Sequence, residues 1–232
     1  MRSSSIVLSA LLLGACSTFS SAPVEQDYTF VWIKTGAREG PLDKADSDRI
    51  FGGHFANMER LSREGRLLLA GPYGKQRSDG TLRGVFVLDT ADPAVAKTWA
   101  ESDPGFQASV FRFDYATMST TAALRAHRVA NLATYDAAIA AGRKPAPGEG
   151  ARGFVWLTAE DATRAKDALA GNDAVLLFAR LSGGRALVLL DCDTMTAAVA
   201  KLSPLAQKLG PYVLDEWVAS GLLTELPKRV DG

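Results

Sequence analysis

Two hydrophobic rhythms alternate along this chain: short runs apolar at nearly every position, and stretches in which apolar residues recur every three or four. "YTFVWIK" (28–34) has the first pattern and reads as a strand. A polar loop rich in Gly, Asp and Pro follows over 35–49. From 50 to 64, Phe51, Phe55, Met58 and Leu61 repeat at helical spacing, with Gly65 as the stop signal. "RLLLAGPYG" (66–74) reads as a strand running into a turn, and "RGVFVLDT" (83–90) as another strand. Asp92 and Pro93 form an N-cap and first-turn pair for a helix reaching about Ser102. "ASVFRFDYATM" (108–118) alternates, with Phe111, Phe113 and Tyr115 on one face.

The pattern then recurs. "GFVWL" (153–157) echoes "TFVWI" (29–33), an Ala-rich helix "ATRAKDALAG" (162–171) follows, and "DAVLLFARL" (173–181) matches the strand at 67–73. "RALVLLDCDT" from Arg185 aligns without gaps to "RGVFVLDTAD" from Arg83, and in that register "YVLDEWVAS" falls on "VFRFDYATM". Each half has the order β-α-β-β-α-β, the ferredoxin-like arrangement. The strands are apolar on both faces, so helices cover one face and something else must cover the other. The other half's sheet is the simplest candidate. The expected fold is therefore α+β: two ferredoxin-like repeats (28–119 and a degenerate 152–226) packed sheet to sheet as an internal pseudo-dimeric barrel, sufficient as a monomer. The connector, 120–151, combines an Ala-rich part that could be helical with the turn-rich "RKPAPGEGAR".

The N-terminus lies outside this fold. Arg2 and a short polar stretch precede "IVLSALLLGA", an apolar run too short to span a bilayer, which reads as a secretory signal over 1–15. Its end, "LGAC", resembles a lipobox, which implies a mature chain starting at lipidated Cys16 and a tether over 16–27. Ser17 after the cysteine resembles outer-membrane lipoproteins facing the periplasm. An ordinary signal cut near Ala22 is the alternative, for which Pro23 is a poor start. Several acyl chains, at about 0.8 kcal/mol per buried methylene, would make the anchor permanent.

Composition narrows the partners. The 232 residues carry 26 basic and 26 acidic side chains, intermixed, so no clustered positive face points to nucleic acid. Of two cysteines, Cys16 is committed to lipid on this reading, which leaves Cys192 unpaired and read as a small packing residue. Two histidines in different segments give no spaced metal-ligand cluster. No nucleophile elbow, phosphate-binding loop or dinucleotide fingerprint occurs, and no cofactor is expected.

The motifs "GHFANMERLSREGRLLLAGPYG", "LRGVFVLDTAD" and "ESDPGFQASVF", in that order, resemble the YCII-related family of dimeric α+β barrels. The resemblance covers 28 to about 119. It implies an active pair, a histidine on the first helix and an aspartate in an Asp-Pro after the second, which here are His54 and Asp103. One branch of the family dehydrochlorinates hydroxyquinones, and most members have no assigned reaction. In the second half the equivalents fall near Ala162 and at Leu205, so one half alone keeps the pair.

From the residues themselves, His54 lies among the apolar positions of its helix and should point inward, where a carboxylate is a natural partner. Such a pair can be a structural hydrogen bond or can move a proton. Asp103 could equally just open a turn. Further binding candidates are Gly71 and Tyr73 in the "AGPYG" turn and the bases Lys34 and Arg83; His127, in the connector, reads as structural or exposed. Three functions compete: proton transfer (isomerase or elimination chemistry) on a small anionic or phenolic molecule, capture of such a ligand without turnover, and a purely structural envelope role.

Overall fold

The computed structural model describes residues 24–146 and 148–226. The signal segment and Cys16 lie outside them. Eight strands, β1 (Gln26–Thr35), β2 (Leu67–Pro72), β3 (Leu82–Leu88), β4 (Phe111–Thr120), β5 (Ala151–Ala159), β6 (Val175–Leu181), β7 (Ala186–Leu190) and β8 (Tyr212–Ser220), form one antiparallel sheet. Their order is β2-β3-β1-β4-β6-β7-β5-β8.

Both faces of the strands are apolar, as the sequence pattern demands, and they feed different cores. On β3, Val85 and Val87 join Phe30, Met118, Trp156 and Trp217 inside the curled sheet. Their neighbours Phe86 and Leu88 join Val31, Leu61 and Phe111 on the outer side. On β7, Leu187 and Leu189 face inward while Ala186, Val188 and Leu190 face outward. Helices α1 (Lys44–Arg63), α2 (Pro93–Ala100) and α3 (Pro104–Gln107) accompany the first outer core, and α5 (Ala162–Leu169), α6 (Met195–Leu202) and α7 (Ala206–Leu209) the second. The connector supplies α4 (Leu124–Ala140), which packs on β2 and α1. No helix among the described residues is long and apolar enough to cross a membrane.

The halves meet along strand edges rather than as two stacked sheets, because unpaired backbone groups at an edge are satisfied by another edge. On one side Met118, Ser119 and Thr120 pair with Leu181, Arg180 and Ala179. On the other, the end of β2 meets β8: Tyr73 bridges to Trp217, Trp217 Nε1 donates to Gly71 O at 2.9 Å, and Glu216 N donates to Gln76 O at 2.9 Å. A Cβ on Gly71 would press into the backbone oxygen of Val218, so this seam requires glycine. The result is a nearly closed α+β barrel filled with side chains.

Helix α1 departs from expectation in two ways. It begins at Lys44, two turns early, because Asp43 caps it by accepting from Asp46 N at 2.7 Å. Its buried face is Ile50, His54, Asn57 and Leu61, while Phe55 is 54% exposed. The stripe is rotated from the expected one because two polar residues on that face find partners.

Candidate functional site

His54 and Asp103 are brought together from elements far apart in sequence. His54 sits in the middle of α1, over the outer face of the sheet, with its ring 6.0 Å from Phe86 and 5.3 Å from Phe111. Asp103 precedes Pro104, which ends any continuation of α2 and starts α3. A Cβ at Gly53 would lie 2.9 Å from Pro104 Cγ, so glycine there lets α1 approach α3 this closely.

Asp103 is fully buried and uses both oxygens. Oδ1 accepts from Gly105 N at 2.8 Å, capping α3, and Oδ2 lies 2.6 Å from His54 Nδ1. A carboxylate only accepts, so the bond assigns the shared proton to Nδ1. His54 is 9% exposed; its Nε2 has no hydrogen-bond partner among the described residues and is not one of the buried stranded atoms. The lone pair of Nε2 is thus left free. A histidine so held can accept a proton while the carboxylate orients the ring and stabilises the imidazolium that forms.

The other predicted contacts lie elsewhere. Lys34 shares its strand parity with Phe30 and Trp32, which face the barrel interior, and it is ion-paired with Asp114 at 3.0 Å and Asp79 at 3.3 Å. Those partners, rather than a free cation, account for its charge. Tyr73 is part of the interior core; burial, with the Asp215 charge second, pushes its phenol far up. Gly71 belongs to the seam with Trp217, and Arg83 Nη1 donates to Gly80 O and Leu82 O within its own turn. The sheet separates Lys34 and Tyr73 from His54, since adjacent strand residues point to opposite faces. His127 is buried on α4, and Cys192 is buried in the second outer core, where desolvation raises its thiol pKa. Among the described residues no group of three potential ligands is placed to hold a metal ion.

In the second half, Ala162 opens α5, and Leu205 stands before α7 with no side-chain cap. Arg164 ties these helices instead, donating to Lys208 O at 2.6 Å and Gln207 O at 2.5 Å. A concavity of about 530 Å³ lies here, lined by Asp161, Thr163, Arg164, Asp167, Ala168 and Lys208, not beside His54.

Asn57, one turn beyond His54 on the same buried face, lies inside the first family-like motif, but sequence reasoning gives it no role. The three-residue spacing of His54, Asn57 and Arg60 is the trace it leaves.

No curated protein and no solved structure matches the chain. A family match does exist, to the YCII-related domain over residues 36–118, spanning α1 to β4 and both members of the His54–Asp103 pair. Residues 36–118 thus form a YCII-related domain.

Proposed function

We propose that the chain is an envelope lipoprotein, anchored through Cys16, whose first half carries a His54–Asp103 site for proton transfer on a small organic molecule. The carrying observation is the 2.6 Å bond from Nδ1 to a fully buried carboxylate, with Nε2 unpartnered. A free Nε2 takes a proton from the bound molecule, and Asp103 offsets the charge that appears on the ring. In an isomerisation the proton returns at another atom; in an elimination the leaving group departs with its bonding electrons. The Phe86 and Phe111 rings give the imidazole an apolar wall against which a small organic molecule can pack.

The two halves act, on this reading, as an internal pseudo-dimer of degenerate ferredoxin-like repeats. The repeated orders β2-β3-β1-β4 and β6-β7-β5-β8 support it. So does the matching position of Asp103 and Leu205, each just before a four-residue helix. The second repeat, tied by Arg164, joins its helices without acid–base chemistry. The fold therefore does not depend on a His–Asp pair at that place, which favours a chemical reason for keeping one.

A thermal-shift screen of small phenolic and anionic molecules, on the parent chain and on His54→Asn, tests the site. A molecule that stabilises the parent and not the variant is expected. Equal responses across the library would remove His54 from any site. Stabilisation that depends on His54 without turnover would mark a binding module.

A further inference from the structure

Asn57 is 8% exposed and its amide is held at one end only. Arg60 Nη2 donates to Oδ1 at 2.7 Å, and Ser102 Oγ lies 3.2 Å from the same oxygen while bonding Trp99 O at 2.7 Å. A guanidinium has no acceptor, so the atom facing Arg60 must be the oxygen, and the NH2 group is turned away from it. That group, Nδ2, is buried with no hydrogen-bond partner among the described residues. A stranded amide donor is costly, and flipping the amide would set NH2 against the guanidinium. Arg60 and Ser102 thus fix an unsatisfied donor in place.

Asn57 and His54 are neighbours on one buried face of α1. Residues three apart on a helix have Cβ atoms about 5–6 Å apart, and both His54 and Asn57 face the corner formed by Ser102 and Asp103. A base that removes a proton leaves negative charge on its substrate, and a preorganised N–H near that charge is the matching electrostatic partner. The approach to His54 is aromatic: Phe55, largely exposed, has its ring 5.4 Å from the imidazole, with Phe111 at 5.3 Å. Flat faces of this kind select a planar molecule.

We propose that Asn57 Nδ2 donates to the oxygen of a phenol or enol whose proton passes to His54 Nε2. The O–H bond breaks, the proton moves to Nε2, and the electron pair stays on oxygen, where Nδ2–H meets it. This assignment rests on the reading of His54 as a base.

The probe is 4-nitrophenol, whose ionised form is coloured, added to the full-length chain in detergent. The parent should bind it and show phenolate colour below the pH at which the free compound ionises. Asn57→Asp, which keeps an oxygen toward Arg60 and replaces the donor, should weaken binding about tenfold to a hundredfold. Asn57→Leu should do the same and guards against misfolding of either variant. His54→Asn should retain weak binding without the colour.

If the Asn57 variants bind as the parent does while His54→Asn loses the colour, the Asn57 assignment falls and the base stands. If His54→Asn matches the parent in colour and affinity, the base reading falls and takes this assignment with it. A parent that binds no nitrophenol overturns the phenol or enol class. In the parent alone, a side-chain amide resonance of Asn57 that stays still on binding would also overturn the assignment.

Discussion

Replacing Asp103 separates its two jobs. Asp103→Asn keeps an oxygen to cap Gly105 N, but presents an NH2 group to His54 Nδ1, where the carboxylate accepted. The ring must then change tautomer, with Nδ1 accepting and Nε2 carrying the hydrogen. A hydrogen bond to a charged group, about 1.5–3 kcal/mol, gives way to a neutral one of about 0.5–1.5 kcal/mol, so the net loss is about 1–2 kcal/mol. For a chain of this size that lowers the melting temperature by roughly 2–8 °C. Asp103→Ala loses the cap, worth about 1 kcal/mol, and strands buried donors at about 1–3 kcal/mol more, or about 2–4 kcal/mol in total. Urea titration of the three proteins, with the slopes compared, gives the stabilities. Nitrogen NMR of the His54 ring gives the tautomer. Asp103→Asn should lose ligand response while staying folded. Equal destabilisation by Asn and Ala would refute the division of labour, and an unprotonated Nδ1 in the neutral parent ring would refute the assignment of the proton.

Burial lowers the His127 pKa below 6.5, with a backbone contact at Leu222 acting the other way. The unfolded chain therefore binds that proton more readily, so stability should fall as pH drops below about 6.5 toward the lower folded value. His127→Phe should flatten that acid limb in urea titrations at pH 5 and pH 8, and an unchanged limb would assign it to other groups. Gly71→Ala drives a methyl into Val218 O at the β2–β8 seam, so it should cost about 1–3 kcal/mol and speed exchange of the Trp217 indole hydrogen. An indole that exchanges no faster would mean the seam tolerates the methyl. Cys16→Ser should release the protein from the membrane fraction or leave an uncut precursor, and a parent whose mature N-terminus is an unmodified Pro23 would end the lipid-anchor reading.

Strand positions were legible because both faces of each strand are buried, and a run such as "GVFVL" can satisfy two cores only as a strand. The cap at Asp92 was legible for a local reason: its carboxylate accepts from Ala94 N two residues on. The rotation of α1 was not. His54 was read as inward, but Phe55 outranks Asn57 in hydropathy, and only the bonds to Arg60 and Ser102 make Asn57 the buried one of the two. The helix start was missed because "KADSDR" has no apolar period, although Asp43 stood ready to cap it. Edge pairing of β4 with β6 joins residues about sixty apart, and no local pattern selects it over stacked sheets. The same holds for Lys34, whose carboxylates arrive from β4 and the β2–β3 loop.

The place of β1 has a mechanical consequence. It is not an edge strand: β3 flanks it on one side and β4 on the other, pairing from Gln26↔Thr120 to Thr35↔Phe111. The chain enters the barrel at Gln26, so tension applied through its N-terminal segment runs along the axis of an interior strand. Such a load shears both ladders at once, each hydrogen bond sharing the strain, instead of peeling them one by one from an end. With the proposed anchor at Cys16, the barrel would hang from the strand best placed to resist a pull.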